Sequence, residues 1–245
     1  IREYSDAAAL ADALALQVAY QPGDEVTWGA YQQDGDAGGA KEPIEWIVLE
    51  VQNNRALLLS KYGLDAVAFA GDGNRTPTWE TSLVRRWLNN EFLQQAFTAE
   101  EQTMLLSVDL ANQGDMDRVF LLSSAEARRF TGEQLTLECS PTLSAVLNGG
   151  DVRKDKRCAW MLRNVDPSNS APYAVDADGS ISASSALASR AVIRPAVWVD
   201  LSHALAARLA DNAVMLDGQA KETRITPSPN PLKGMEIASN RAKHI

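Results

Sequence analysis

The sequence predicts an α+β domain of short mixed and antiparallel strands with several short helices, in a single main domain over residues 20–201. Three observations lead there. Apolar side chains alternate with period two over Glu25–Tyr31, an Asn53-Asn54 pair separates two further apolar runs, and from Thr81 the apolar period becomes that of a helix. The βαβ regularity of a parallel sheet does not appear, and no internal repeat is present.

The elements follow in chain order. Tyr4–Leu14 places Ser5 and Asp6 before strong helix formers, and Pro22-Gly23 punctuates the far side, so residues 1–19 read as a helical segment. In Glu25–Tyr31, Val26, Trp28 and Ala30 alternate with Glu25, Thr27 and Gly29, as in a half-buried strand. Ile44–Val51 and Arg55–Ser60 flank two asparagines, which tolerate positive φ, and so predict a β-hairpin with a two-residue turn. Past Thr81, Leu83, Val84, Trp87 and Leu88 share one arc, with Arg85, Arg86 and Asn89 outside it. Thr98 with Glu101, and Ser123 with Glu126, fit the capping box, in which two side chains each satisfy an orphan N–H of the other's turn. Val119–Leu122, Cys158–Arg163, Tyr173–Val175, Ser180–Ser182 and Val192–Val199 are short strand candidates, with Asp178-Gly179 as a hairpin turn. Thr226–Pro231 carries three prolines and cannot hold a helix or central strand, so residues 202–245 form a C-terminal extension with a Pro-rich arm.

Composition removes several function classes. Lys and Arg number 23 against 32 Asp and Glu, a net charge of −9, which opposes the phosphate attraction behind nucleic-acid binding. No run approaches the roughly 18–20 apolar residues of a membrane span, so membrane insertion is not expected. Two histidines and two cysteines leave little for zinc sites or familiar triads, GxSxG and HExxH are absent, and no catalytic residue or cofactor is implied. His203 follows a probable helix start and His244 lies in the tail. Asp34, Asp36 and Glu45 fall at calcium-loop positions 1, 3 and 12, but strands flank them and Pro43 interrupts, so they are weak metal candidates beside a plain solvated loop. Cys139 and Cys158 lack CxxC spacing and read as buried thiols, with a disulfide or a soft-metal pair as alternatives.

The six tryptophans, Trp28, Trp46, Trp79, Trp87, Trp160 and Trp198, all fall in or beside predicted elements and read as core. Trp79, in a Gly- and Pro-punctuated loop, is the best candidate for a ligand platform. Arg85, Arg163 and Arg194 each adjoin a tryptophan; Glu80, Glu126 or Asp200 could pair with them, or they could line an anion pocket. Trp79, Arg85, Arg163 and Arg194 are therefore the candidate ligand-binding residues.

In order, Glu45–Leu49, Ala56–Ser60, Trp79–Asn89 with Phe92 and Phe97, Val119–Ser123 with Glu126, Trp160–Arg163 and Arg194–Trp198 resemble an uncharacterised bacterial family of unknown function. The motifs, WETSxxRxWLN, VFLLSxxE, WxLR and RPAxW, cover about residues 20–201. Tyr4–Ala8 resembles the end of small helical repeats that stand upstream of such domains, which would make this chain part of a longer protein. The family is similar to C-type-lectin-like folds, a group that also holds formylglycine-generating enzymes. The calcium motifs EPN, QPD and WND of sugar-binding lectins do not occur here, and the cysteines do not match the enzymes' local pattern.

That resemblance implies a non-catalytic recognition module of a larger bacterial protein, with a protein or glycan ligand held by loops such as 70–79 and 164–172. A cell-surface or extracellular place is expected in preference to the cytoplasm. The alternatives are a formylglycine-generating-type modifying enzyme using Cys139 and Cys158, and a purely structural segment of a surface protein.

Overall fold

A hairpin founds the main sheet. Strands β1 (Glu25–Tyr31), β2 (Glu42–Gln52) and β3 (Arg55–Ser60) pair in antiparallel succession. Asn53 and Asn54 both take positive φ, 49° and 58°, the turn geometry that matches the twist of two-residue hairpins. The computed structural model describes residues 20–71, 76–110, 115–131, 136–183 and 191–202. The segment expected over 1–19, most of the extension expected over 202–245, and both histidines lie outside them.

Further along, α1 (Leu83–Trp87) runs through a π-turn (Leu88–Phe92) into α2 (Leu93–Ala96), and α3 (Ala99–Met104) follows. Then come β4 (Val108–Asp109), β5 (Met116–Asp117), β6 (Val119–Phe120), α4 (Ser124–Arg129) and α5 (Leu143–Leu147). The chain closes with β7 (Trp160–Val165), β8 (Pro172–Val175), β9 (Ile181–Ala183) and β10 (Ala196–Asp200). The five-stranded sheet has the order β1-β2-β3-β10-β6; β4-β5 and β7-β8-β9 form two smaller sheets, and every pairing of named strands is antiparallel.

Several predicted elements shift for local reasons. The Val192–Val199 run is broken, because Arg194-Pro195 interrupts the ladder and Pro195 has no N–H to give. Val192 and Ile193 instead bridge to Trp160 and Asp65, tying the three-stranded sheet to the large one, and β10 begins at Ala196. β6 stops at Phe120, since the carbonyls of Leu121 and Leu122 accept from Arg163. The helix expected from Thr81 starts after Ser82, whose hydroxyl accepts the Arg85 N–H at 3.1 Å. Both capping boxes form.

One hydrophobic core joins these layers. Trp28, Trp46, Trp79 and Trp160 are buried in it, while Trp87 and Trp198 are half-buried at its margin. Three of the buried indoles find acceptors: Trp46 donates to Trp28 O and Trp160 to Leu137 O, both at 2.7 Å, and Trp79 to Asp117 Oδ2 at 2.8 Å. Trp28 Nε1 has none among the described residues.

Candidate functional site

The four residues expected to contact a ligand are held by internal partners. Trp79 and Arg85 meet on one buried carboxylate: Asp117 accepts from Trp79 Nε1, from Arg85 Nε at 2.7 Å and from Asn89 Nδ2 at 3.2 Å. Burial pushes the Asp117 carboxyl above its ordinary value, against the downward pull of Trp79 and Arg85. Asn89 lies in the π-turn, and its amide both donates to Val119 O and accepts from Val119 N, covering the free edge of β6 as a further strand would. Arg85 thus pairs with Asp117 and, at 3.5 Å, with Asp115, while Glu80 contributes a main-chain carbonyl.

Arg163 forks onto both oxygens of Glu126 and also donates to Leu121 O. Burial raises the Glu126 carboxyl, but the Arg163 bonds and charge, with the Ser123 cap, outweigh it and leave the group below its ordinary value. This ion pair locks α4 against β7. Arg194 is only 1% exposed; its Nε donates to Ser60 O at 2.7 Å, its guanidinium lies 5.0 Å over the Trp160 ring, and Nη1 has no hydrogen-bond partner among the described residues. No ion pair joins it to a carboxylate among the described residues, so Asp200 does not serve it.

Two cysteines lie near enough to Arg194 to feel its charge. Cys139 and Cys158 are free, buried thiols, joined through Cys158 N to Cys139 O at 2.9 Å. The hydrogen bond from Cys158 lowers Cys139 despite burial, with help from the Arg194 charge, while the same bond and burial raise Cys158. The two sulfurs each lie on a main-chain carbonyl, Cys158 on Cys139 O at 3.4 Å and Cys139 on Ser140 O at 3.5 Å.

The weak metal candidates do not converge. Glu45 pairs with Lys61 at 2.8 Å on the sheet, while Asp34 and Asp36 accept local backbone N–H groups as turn residues. Their carboxylates are committed to the strand and the loop separately. No group of three or more His, Cys, Asp or Glu able to hold a metal occurs among the described residues.

Two concavities are lined by the described residues. A cleft of about 620 Å³ lies between β1, the start of β2 and the α2–α3 turn, with Trp28 and Phe97 in its floor and Thr27, Lys41, Gln95 and Glu101 around it. A bulge between Thr27 and Ala30 breaks the β1 register there, with Gly29 at φ +67°. A Cβ on Gly29 would come within 2.8 Å of Ala96 O and Phe97, so only glycine lets helix and strand approach this closely. Gly29 N donates to Glu101 Oε1 at 3.3 Å and Lys41 Nζ to Gln95 O at 2.6 Å, fixing both walls. A smaller pocket of about 150 Å³ opens beside Asp65. None of Trp79, Arg85, Arg163 and Arg194 lines either. Sequence reasoning missed the cleft residues because polar side chains such as Gln95 and Glu101 carry no motif; the signal within reach was Gly29, a glycine inside an otherwise regular strand.

Against known proteins, a family model described as Domain of unknown function (DUF6273) matches residues 53–201, and the chain belongs to that family. The match begins in the β2–β3 turn, leaving β1 and β2 outside it. No curated protein and no solved structure matches.

Proposed function

We propose that this DUF6273 member is a non-catalytic recognition module, of C-type-lectin-like architecture, that grips a segment of a partner polypeptide in the cleft beside β1. The observation that carries the reading is the cleft itself: an apolar floor of Trp28 and Phe97 under a rim offering amides, a lysine and a glutamate. A peptide offers backbone acceptors and donors at the spacing such a mixed rim requires.

A protein partner is favoured over a glycan by the state of the aromatic rings. Four tryptophans are buried, Arg55 lies 4.6 Å over the Trp198 ring, and Trp87 packs on Phe92 at 5.4 Å, so flat stacking faces for sugar rings are taken up inside the fold. The architectural reading draws support from β10, which returns from the end of the described chain to lie between β3 and β6. The fold suits display, and we place the protein at a bacterial cell surface or outside the cell.

Selection from a random peptide library, alongside a glycan array, tests the reading. Selected peptides should shift the amide resonances of Thr27–Ala30 and Gln94–Thr98, and Thr27→Arg should weaken them roughly tenfold or more, the scale of one lost interfacial contact. Glycan capture without peptide capture, or peptide shifts confined to another face, would overturn it.

A further inference from the structure

The smaller pocket has a chemistry of its own. Asp65 is 6% exposed and lies at its polar end. Its Oδ1 accepts from Ala66 N at 2.7 Å and Asn148 Nδ2 at 2.8 Å, and its Oδ2 accepts from the Tyr31 hydroxyl at 2.5 Å. No ion pair joins Asp65 to a cation among the described residues, although every other buried acidic side chain there, namely Asp117, has one. Carboxylates this deep are normally paired with a positive charge.

Three residues far apart in sequence build this end, from β1, from the loop after β3 and from the end of α5. The other end is apolar. Leu143 and Leu147, one helical turn apart on α5, are 53% and 66% exposed, and Leu147 lines the pocket with Ala37. Gly35 completes the wall at φ +80°, a conformation that favours glycine, and stands close enough to Leu147 Cδ1 that a Cβ would displace the leucine tip.

We propose that this pocket binds a primary ammonium group on an alkyl chain, with Asp65 as its counter-ion and Leu147 against the chain. The acceptors fit that group. Asp65 Oδ2 has a lone pair beyond the one taken by Tyr31, and Tyr31 and Asn148, each carrying a side-chain oxygen, line the same pocket, so its lining holds an acceptor for each of the three donors of an –NH₃⁺. A guanidinium fork fits poorly, because it needs both carboxylate oxygens and Oδ1 already holds two N–H groups. Tyr31 cannot act as a base there: burial, the Asp65 charge and their hydrogen bond all raise its phenol far above the ordinary value, so it stays protonated and binding is the role left to it. The site is independent of the β1 cleft and stands whether or not that cleft takes a peptide.

Two-dimensional NMR titration of the whole chain with n-butylammonium, against n-butanol, tests the assignment. The ammonium should shift the Ala66 amide and the Asn148 side-chain amide saturably, and the alcohol should not. Asp65→Asn should weaken binding roughly tenfold or more, as expected for loss of a charge contact in a partly solvated site. Leu147→Lys, an exposed change that leaves the fold intact, should weaken it comparably by placing a resident cation at the mouth; this variant decides the matter if Asp65→Asn does not fold. Titration with Nα-acetyllysine methylamide and with alaninamide separates a lysine side chain from a chain N-terminus as the natural source. Shifts of equal size with butanol, unchanged affinity in Leu147→Lys, or failure of both amino-acid probes would each overturn the proposal.

Discussion

Arg194 and Asp65 are opposite charges placed alike and housed differently. Both are almost wholly enclosed, and neither has an ion-pair partner among the described residues. Around Arg194 the fold closes with the Trp160 face, the Ser60 carbonyl and two thiols, enclosing the charge although Nη1 finds no acceptor among the described residues. Around Asp65 the fold supplies three neutral donors and then opens to a pocket. An enclosed charge is therefore structural where the protein completes its surroundings, and becomes a candidate for recognition where it does not.

The comparison breaks first if the Arg194 side is not a packed core. Trp160→Ala removes the ring under the guanidinium, an indole bonded to Leu137 O and a fully buried aromatic volume. The expected loss is about 3–5 kcal/mol, read as a lowered urea midpoint at unchanged slope. A stable, cooperatively unfolding variant would mean that the aromatic set is not the interior that seals Arg194.

Next in size is Arg163→Met, which marks what an ordinary paired charge contributes. It strips Glu126 of a two-pronged partner, with an expected loss of about 1.5–3 kcal/mol at neutral pH, the range for hydrogen bonds to charged groups. The sign of its pH dependence follows from Glu126, which is held below its ordinary 4.5 in the folded protein. That contribution is complete above the unfolded value and is lost as pH falls through the folded one. The gap between wild type and variant should narrow in acid, below about pH 4. A gap constant with pH in chemical denaturation would remove Glu126 as the cause.

Arg194→Met and Asp65→Asn should both cost less. A methionine fills the Arg194 volume, and removing an unpaired charge relieves its burial, so a change within about 1.5 kcal/mol of either sign is expected. The thiolate absorbance of Cys139 should then appear at higher pH than in wild type, because the Arg194 charge contributes to lowering that group. Asp65→Asn keeps an acceptor for Ala66 and Asn148, and Tyr31 can turn its hydroxyl, so about 1 kcal/mol is expected. A loss above that of Arg163→Met for Asp65→Asn would make Asp65 a structural anchor first.

What could be read in the sequence divides along the same line. The β1–β3 hairpin system was legible because period-two burial and the two asparagines are local signals, and both capping boxes were legible for the same reason. Glu126 was among the partners expected for the arginines because it lies in a capping box beside apolar strands. The Asp117 site was not, since its donors Trp79, Arg85 and Asn89 come from 28 to 38 residues away along the chain. Nor could the Asp65 pocket be read: Tyr31 precedes it by 34 residues and Asn148 follows by 83, and no spacing rule joins a tyrosine, an aspartate and an asparagine across three elements. Sequence proximity of arginine to tryptophan reported packing; the open sites lie where polar residues meet only after folding.

The smallest expected effect concerns the thiols. Cys139 lies behind Gly63 and Val192: a Cβ on Gly63 would stand 2.3 Å from Val192 Cγ2 and 3.7 Å from Cys139 Sγ, so that wall has no slack. Cys158 is fully enclosed, with its sulfur on the Cys139 carbonyl at 3.4 Å. A thiolate is the reactive species, and Cys139, though lowered from its ordinary value, is buried. Neither cysteine should react with a bulky disulfide reagent in the native protein, and both should react once denatured, with stability under native conditions unaffected by the reagent. Rapid native labelling of Cys139 alone would show that the Arg194 side also opens, and the contrast with Asp65 would then be one of degree, with a reactive sulfur on the side taken here as sealed.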